Sequence, residues 1–165
     1  MRILRAGRER IDDLQPLWES LHEHHATVAP DLSRVGPVRA AGDSWAVRRA
    51  LYEEWLAEPD AFVLIAEFMG QPVGYALVHL RGPEETWATG ARIGVLETLV
   101  VLPGERGRGI GSALFDRAYE ELRELGVTEL EVAVIARNAE ALRFYERQGM
   151  VPFTVSFLGP VRGDD

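Results

Sequence analysis

The sequence predicts an α+β (α/β) fold in which helices alternate with strands around one sheet. Apolar side chains recur at strand spacing in some segments and at helical spacing in others, and glycines or prolines separate these segments. With 165 residues and 47% hydrophobic content, the chain can bury one core. Its 9 prolines and 16 glycines are scattered, so we expect a single domain over residues 1–165.

The N-terminal third is predicted to contain one strand and two helices. Residues 1–6 form the strand, and Asp12 opens a helix whose apolar side chains share one face. Residues 29–42 combine prolines and glycines without periodicity and are predicted to form a loop. Ser44 is expected to cap the second helix. The inner face of that helix is predicted to carry Val47, Leu51 and Trp55.

The middle of the chain predicts three strands. Residues 61–67 (AFVLIAE) and 73–80 (VGYALVHL) are apolar runs on either side of a glycine turn, which is typical of a hairpin. A polar loop over residues 81–90 leads to a third strand over residues 93–102.

The C-terminal half alternates between helix and strand. An amphipathic helix over residues 110–125 ends at Gly126, and a second helix spans residues 138–148. Strands are predicted over residues 127–135 and 151–158. The resulting prediction is a mixed central sheet of about six or seven strands with about four flanking helices.

Composition excludes several kinds of chemistry. The chain has no cysteine, which removes disulfides, thiolate metal sites and cysteine nucleophiles, and no lysine, which removes Schiff-base catalysis. We therefore expect no metal. The net charge of −8 and pI of about 5.1 disfavour nucleic acid as a partner and are compatible with a cationic amine. Neither a signal peptide nor a run of membrane-spanning length is recognisable, so we expect a cytoplasmic protein without a membrane partner.

A glycine-rich turn, residues 103–109 (PGERGRG), joins a buried strand to an amphipathic helix. Glycines allow close approach of the backbone to a ligand, and the free N–H groups at a helix start attract phosphates. Arg106 and Arg108 add positive charge at the same place. The ligand could be a nucleoside triphosphate, a dinucleotide or coenzyme A, and a turn without any ligand is the competing interpretation.

The first two ligands fit this turn poorly. A Walker-type loop would need lysine immediately after Gly109, where Ile110 stands. A dinucleotide fingerprint that uses Gly107 and Gly109 would need a third glycine at position 112, which is Ser112. Coenzyme A is the third ligand class, and a turn whose glycines serve only its geometry stays open beside it.

Arg106, Gly109 and Gly111 match the acetyl-CoA signature of the GNAT acetyltransferase superfamily, which reads Arg or Gln, two residues, Gly, one residue, then Gly or Ala. Residues 138–150 (NAEALRFYERQGM) resemble the family's later run of Asn, Ala, Phe-Tyr and Gly-Phe, with methionine in place of the last phenylalanine. The resemblance covers about residues 61–153, and the preceding part of the chain matches only in general layout.

This resemblance implies an acetyl-CoA-dependent N-acetyltransferase that acts on the amine of a small molecule or peptide, in a sheet splayed to admit acyl-CoA. Family members often dimerise, so a homodimer is expected. A non-catalytic acyl-CoA-binding or regulatory module on the same fold is the alternative. The residues implied to bind coenzyme A are Leu99, Val100, Val101, Arg106, Gly107, Arg108, Gly109, Ile110, Gly111, Ser112, Asn138 and Ala141.

Acetyl transfer to an amine needs a base for the ammonium and an acid for the departing thiolate. Glu97 is the candidate base, because a carboxylate inside an apolar strand is unfavourable unless it serves a purpose. Strand alternation predicts that it shares a face with Val95 and Leu99. Pairing with backbone or with an arginine is its structural alternative. Tyr145 resembles the family's acid, and a packed core tyrosine is the alternative.

The acceptor site has weaker candidates. Trp87 and Glu84 lie in the polar loop and could face a cationic amine, although a solvated turn is the simpler interpretation of Glu84. Asn138 is expected to cap its helix while it contacts coenzyme A. Three histidines fit no metal motif and are expected to be solvated at a helix end: His22, His24 and His25. Core packing is expected for Trp45, Tyr52 and Trp55.

Overall fold

The protein was analysed as a computed structural model that describes residues 1–161. Five strands form one sheet in the order β1-β2-β3-β4-β5. The first four strands run antiparallel to their neighbours, and β5 runs parallel to β4. Their bounds are Arg2–Ala6 (β1), Phe62–Phe68 (β2), Gln71–Arg81 (β3), Ile93–Val101 (β4) and Leu130–Val132 (β5).

Four α-helices flank this sheet, as the sequence predicts. Short 3-10 segments precede α1, follow it and follow β4. The proline near the start of α1 is tolerated because the first turn of a helix lacks acceptors for its N–H groups in any case. The helix bounds are Gln15–Val28 (α1), Ala41–Trp55 (α2), Ile110–Glu124 (α3) and Ala139–Arg147 (α4).

The predicted inner face of α2 is right for Trp55, which packs against the core, and wrong for Val47 and Leu51. Val47 and Leu51 are 49% and 37% exposed, whereas Trp45 and Tyr52 are buried. The helix also begins at Ala41, before the expected cap residue. The large rings of Trp45 and Tyr52 remove more apolar area from water than the aliphatic side chains do, and this decides the rotation of the helix.

Two apolar cores lie on opposite faces of the sheet. One packs α3 against the sheet and includes Leu64, Leu96, Leu114 and Phe115. The other packs α1 and α2 against the opposite face and is built around Leu17, Trp45, Tyr52, Tyr75 and Val100. Because both faces are covered, the central strands β2 and β3 are apolar almost throughout, as the uninterrupted runs in the sequence indicate.

The sheet has fewer strands than the six or seven predicted. The strand expected over residues 127–135 contracts to Leu130–Val132, and residues 151–158 form no strand. The side chains of that last segment alternate as in a strand, yet Phe157 is 94% exposed. Alternation of apolar and polar side chains indicates only that a segment favours the extended conformation. A strand also needs a neighbouring strand with which to pair, and none of residues 1–161 provides one for this segment.

The sheet opens between β4 and β5, and this opening positions the site. The short strand β5 pairs with β4 only through Gly94–Leu96. Beyond Leu96, β4 continues to Val101 without a partner on that side in the described part of the chain. The backbone of the second half of β4 is therefore free to pair with a ligand.

Candidate active site

The glycine turn presents a row of free backbone N–H groups. Gly107 and Gly109 have φ angles of 73° and 78°, in the left-handed region that favours glycine. The first N–H of α3 to find a backbone acceptor is that of Ala113, which donates to Gly109 C=O at 2.9 Å. The N–H groups of residues 107–112 have no acceptor within residues 1–161, so they form an anion site at the helix start.

The two arginines of this turn differ in what they touch. Arg106 Nε donates to Val101 C=O at 3.1 Å, so its side chain ties the turn to the end of β4. Its guanidinium stays near the turn, with Nη1 4.0 Å from Glu140. Arg108 instead pairs with Glu105 and lies over the ring of Phe68. Only Arg106 faces the cleft described next.

A cleft of about 370 Å³ runs from this turn along the free half of β4. Helix α4 lines it along its length, from the cap residue Asn138 to Arg147, and Leu21 and His24 of α1 line it as well. Every residue that the resemblance assigns to coenzyme A lines the cleft except Arg108. Those residues are Leu99, Val100, Val101, Arg106, Gly107, Gly109, Ile110, Gly111, Ser112, Asn138 and Ala141.

Asn138 is buried and caps α4. Its Oδ1 accepts from Ala141 N–H at 3.2 Å, which satisfies one of the free donors of the first helical turn. The predicted capping role is therefore confirmed. The same bond fixes the wall of the cleft, because Asn138 and Ala141 both line it.

Tyr145 stands in the cleft wall, with its ring packed among aromatic side chains. Its ring centroid lies 5.9 Å from that of Phe115 and 5.1 Å from that of Phe144. The hydroxyl makes no hydrogen bond within the described residues. Burial raises the pKa of Tyr145 well above its ordinary value, so the phenol holds its proton throughout the neutral range.

Glu97 lies in a β-bulge, so it shares a face with Val95 as predicted but not with Leu99. Leu77 pairs with Thr98 and Val78 pairs with Leu96, so Glu97 is the extra residue. Leu96 and Leu99 therefore both pack on the α3 side. The Glu97 carboxylate turns to the opposite face, where it meets side chains of α2 and β3.

The carboxylate of Glu97 has two cationic or titratable neighbours. Its Oε1 is 2.8 Å from Nε2 of His79 on β3. Its Oε2 is 3.8 Å from Nη1 of Arg48 on α2, which is too long for a hydrogen bond. The guanidinium of Arg48 rests on aromatic rings, with its carbon 4.3 Å from the ring centre of Trp18. Glu97 is 23% exposed at its side chain and does not line the cleft.

Buried hydroxyl groups of α2, β3 and β4 form hydrogen bonds beside the bulge. Tyr52 Oη is 2.9 Å from Tyr75 Oη and also hydrogen-bonds Thr98 Oγ1. Burial raises the pKa of Tyr52 to about 12 and that of Tyr75 well above its ordinary value. These groups therefore stay neutral and anchor α2 to the bulged part of β4. The prediction that Tyr52 and Trp45 pack in the core is confirmed.

The histidines of α1 are less solvated than expected. His24 lines the cleft beside Leu21. Burial, helped by the nearby His24 and Arg48, lowers the pKa of His25 to about 4. The stripe of Leu17, Leu21 and His24 at helical spacing was the signal in the sequence that could have placed His24 on the inner face.

The structure does not bring Trp87 and Glu84 to the cleft. Trp87 is 59% exposed and its ring contacts Phe153 edge-on at 5.1 Å. Glu84 pairs with Arg81 at 2.6 Å, and Arg81 also pairs with Glu131 on β5. Glu84 therefore fastens the polar loop to β5.

No group of three or more His, Asp or Glu side chains within residues 1–161 is arranged to hold a metal ion. Among the same residues, no helix has both the length and the apolar character needed to cross a membrane.

The opened sheet, the row of free amides and the cleft along β4 together form an open groove beside a strand, with backbone donors at one end. The chain belongs to the acetyltransferase (GNAT) family, whose model matches residues 18–150. This finding confirms the resemblance seen in the sequence.

Relatives within the family match parts of the chain. A mycothiol acetyltransferase from Beutenbergia cavernae is 45% identical over 65 residues, which are 39% of this chain and 22% of that protein. An aminoalkylphosphonate N-acetyltransferase from Salmonella typhimurium is 34% identical over 96 residues, 57% of this chain and 59% of the relative. The chain thus spans less than two thirds of the length of either relative.

The fold has solved counterparts. The aminoglycoside N-acetyltransferase AAC(6′)-Iy, solved in complex with CoA, superposes with a TM-score of 0.68 at 16% identity. The match covers 98% of this chain and 100% of that one. At this identity the likeness concerns the fold.

Proposed function

We propose that this protein is an acetyl-CoA-dependent N-acetyltransferase that acetylates the amine of a small molecule or peptide in a ternary complex. The observation that carries the proposal is the cleft along β4, which begins at the free N–H groups of residues 107–112 and passes Tyr145. A single catalytic domain, with its coenzyme A-binding part over about residues 61–153, is sufficient for this activity.

Coenzyme A fits the cleft by its chemistry. The free amides of the glycine turn would bind the pyrophosphate, and Arg106 would add positive charge. The unpaired edge of Leu99–Val101 would bind the amide groups of the pantetheine arm as an added strand does. Asn138 and Ala141 would close the opposite wall. Arg108 would contribute only to the surrounding charge, since it pairs with Glu105.

Glu97 and Tyr145 would supply the proton transfers. Glu97 accepts a proton from the acceptor ammonium, and the free amine nitrogen then bonds to the thioester carbonyl carbon. As the carbon–sulfur bond breaks, Tyr145 donates its proton to the departing sulfur, and the proton that the former amine nitrogen loses to become an amide returns to the Tyr145 phenolate through water. The two groups approach the opening from opposite faces of the sheet, because Glu97 contacts α2 while Tyr145 packs with α3.

The acceptor would enter from the face of α1 and α2. Glu97, Arg48 and His24 lie on this side, whereas the loop that carries Trp87 does not reach the cleft. The net charge of −8 favours the approach of cationic amines. The related enzymes named for aminoalkylphosphonate and aminoglycoside acetylation suggest the first acceptors to test.

An acceptor screen tests the proposal. Purified protein with acetyl-CoA is mixed with 2-aminoethylphosphonate, an aminoglycoside, spermidine, free amino acids or a short peptide, and the release of free thiol is recorded. We expect release that depends on one class of amine and yields its acetylated product by mass spectrometry. Tight coenzyme A binding without acetyl transfer to any amine would favour the non-catalytic binding module instead.

Coenzyme A binding should depend on the left-handed backbone of Gly109. Valine is strongly disfavoured at its φ of 78°, although no protein atom stands within 4 Å of an added Cβ. We expect Gly109→Val to weaken coenzyme A binding by about 10-fold or more in calorimetry, because ~1–2 kcal/mol of backbone strain would disturb the amide row.

The matched control is Gly104→Ala, since Gly104 also has open space around its Cβ position but no positive φ. We expect this variant to bind like the wild type. In the wild type, coenzyme A should bind far more tightly than ATP or NAD. Binding of NAD as tight as that of coenzyme A would contradict the ligand assignment.

We also propose that the protein works as a cytoplasmic homodimer. The cytoplasm is where an enzyme of this kind would meet its donor, and exposed apolar side chains of residues 151–158 support self-association. Sedimentation equilibrium should give a dimer mass at micromolar concentration. Phe157→Asp, which adds charge to this segment, should raise the dissociation constant about 10-fold or more. A monomer mass for the wild type would contradict the proposal.

A further inference from the structure

The group that holds the Glu97 carboxylate is a histidine on the neighbouring strand. His79 Nε2 lies 2.8 Å from Glu97 Oε1, and the His79 side chain is only 12% exposed. His79 pairs with Val95, and Glu97 lies two residues further along β4, so strand alternation places Glu97 on the same face as His79. Neither the backbone nor an arginine makes a hydrogen bond to this carboxylate within residues 1–161.

The imidazole ring is locked in one orientation. It stacks on the ring of Trp55 with a centroid distance of 4.8 Å and an interplanar angle of 3°. Its Nδ1 is buried and has no hydrogen-bond partner in the described part of the chain. The neutral tautomer with its proton on Nε2 fits this setting, since a proton on Nδ1 would be a buried donor without an acceptor.

We propose that His79 is the positioning residue of Glu97, an inference that rests on the proposed role of Glu97 as base. The Nε2–H group donates to Oε1 and fixes the rotation of the carboxylate. Oε2 then stays free of hydrogen bonds, since Arg48 is 3.8 Å away. Oε2 is therefore the oxygen that accepts the proton of the acceptor ammonium.

Other groups around this pair do not replace His79. From α2, Arg48 supplies positive charge and Tyr52 lies behind the bulge with its pKa raised by burial. From β3, Tyr75 is likewise held neutral, and from α1, His25 is kept neutral by its lowered pKa. Only His79 makes a hydrogen bond to Glu97 among these groups.

A double-mutant cycle tests the inference. His79→Phe keeps a ring against Trp55 and removes the donor, whereas His79→Gln returns an amide donor near the Nε2 position. Using the amine that reacts fastest in the acceptor screen, we expect His79→Phe to lower kcat/KM about 10- to 100-fold, as loss of an orienting partner does at metal sites.

The cycle separates positioning from a structural role. In a Glu97→Gln background, His79→Phe should change kcat/KM by less than about 2-fold, because the partner that it orients is gone. His79→Gln alone should recover part of the lost rate, with coenzyme A affinity unchanged throughout. Equal losses in both backgrounds would overturn the role of His79 and leave Glu97 as base. Full activity of Glu97→Gln would overturn the base assignment and this inference together.

Discussion

Tyr145→Phe is expected to lower kcat by about 10²–10⁴-fold while coenzyme A affinity stays near that of the wild type. The substitution removes only the phenolic oxygen. The ring can keep its contacts with Phe115 and Phe144, so the cleft wall should survive. Because burial raises the pKa of Tyr145, the hydroxyl is protonated when the thiolate departs, and its loss removes the proton donor.

The measurement is thioester cleavage in a single turnover, with thiol release recorded after rapid mixing. Tyr119→Phe is the matched control, because Tyr119 packs on the same Phe115 ring at 4.7 Å but does not line the cleft. We expect this control to react at the wild-type rate. If Tyr145→Phe also reacts at that rate, Tyr145 is a packing residue, and water or substrate must protonate the thiolate.

Elements with strong local patterns could be predicted from the sequence. The helix α3 has apolar residues at helical spacing between a glycine turn and Gly126, whose φ of 72° ends it as expected. The hairpin of β2 and β3 follows from two apolar runs around a glycine turn. In both cases the residues that determine the element lie within it or directly beside it in the sequence.

Elements that depend on distant partners were predicted less well. Residues 151–158 have the alternation of a strand but no strand beside them in residues 1–161. The rotation of α2 follows from burial of the Trp45 and Tyr52 rings against residues of other elements, where the Tyr52 hydroxyl meets Tyr75 and Thr98. Propensity cannot supply such tertiary information.

The candidate site shows the same division. The glycine turn and the cap at Asn138 are local motifs, and the structure has both where the sequence predicts them. The prediction that Glu97 shares a face with Leu99 is wrong, because one extra residue in β4 shifts the alternation after Glu97. His79 was missed altogether. Its pairing with Glu97 depends on the register of β3 against β4, which the sequence does not show.

Glu97→Gln is expected to lower kcat/KM about 10²–10⁴-fold at neutral pH and less at alkaline pH. At neutral pH most of an alkylamine, with a pKa near 10.4, carries a proton that a base must remove. Above that pH the amine is already free, so the loss of the base matters less. The deficit of the variant should therefore shrink steadily as pH rises, which a loss of packing would not reproduce.

The test is a pair of pH–rate profiles for wild type and Glu97→Gln, with the same acceptor and saturating acetyl-CoA. Glu53→Gln serves as the matched control, because it removes a carboxylate of α2 that pairs with Arg49 and touches neither Glu97 nor the cleft. His24→Ala addresses the other residue that could serve as base, since His24 lines the cleft itself. If the rate of Glu97→Gln falls toward acidic pH as that of the wild type does, while His24→Ala no longer shows this fall, the base is His24 on α1 and not Glu97 on β4. If only Glu97→Gln loses the fall in rate at acidic pH, Glu97 in the bulge of β4 is the base. The free amine then reaches the opened sheet from the side of α2.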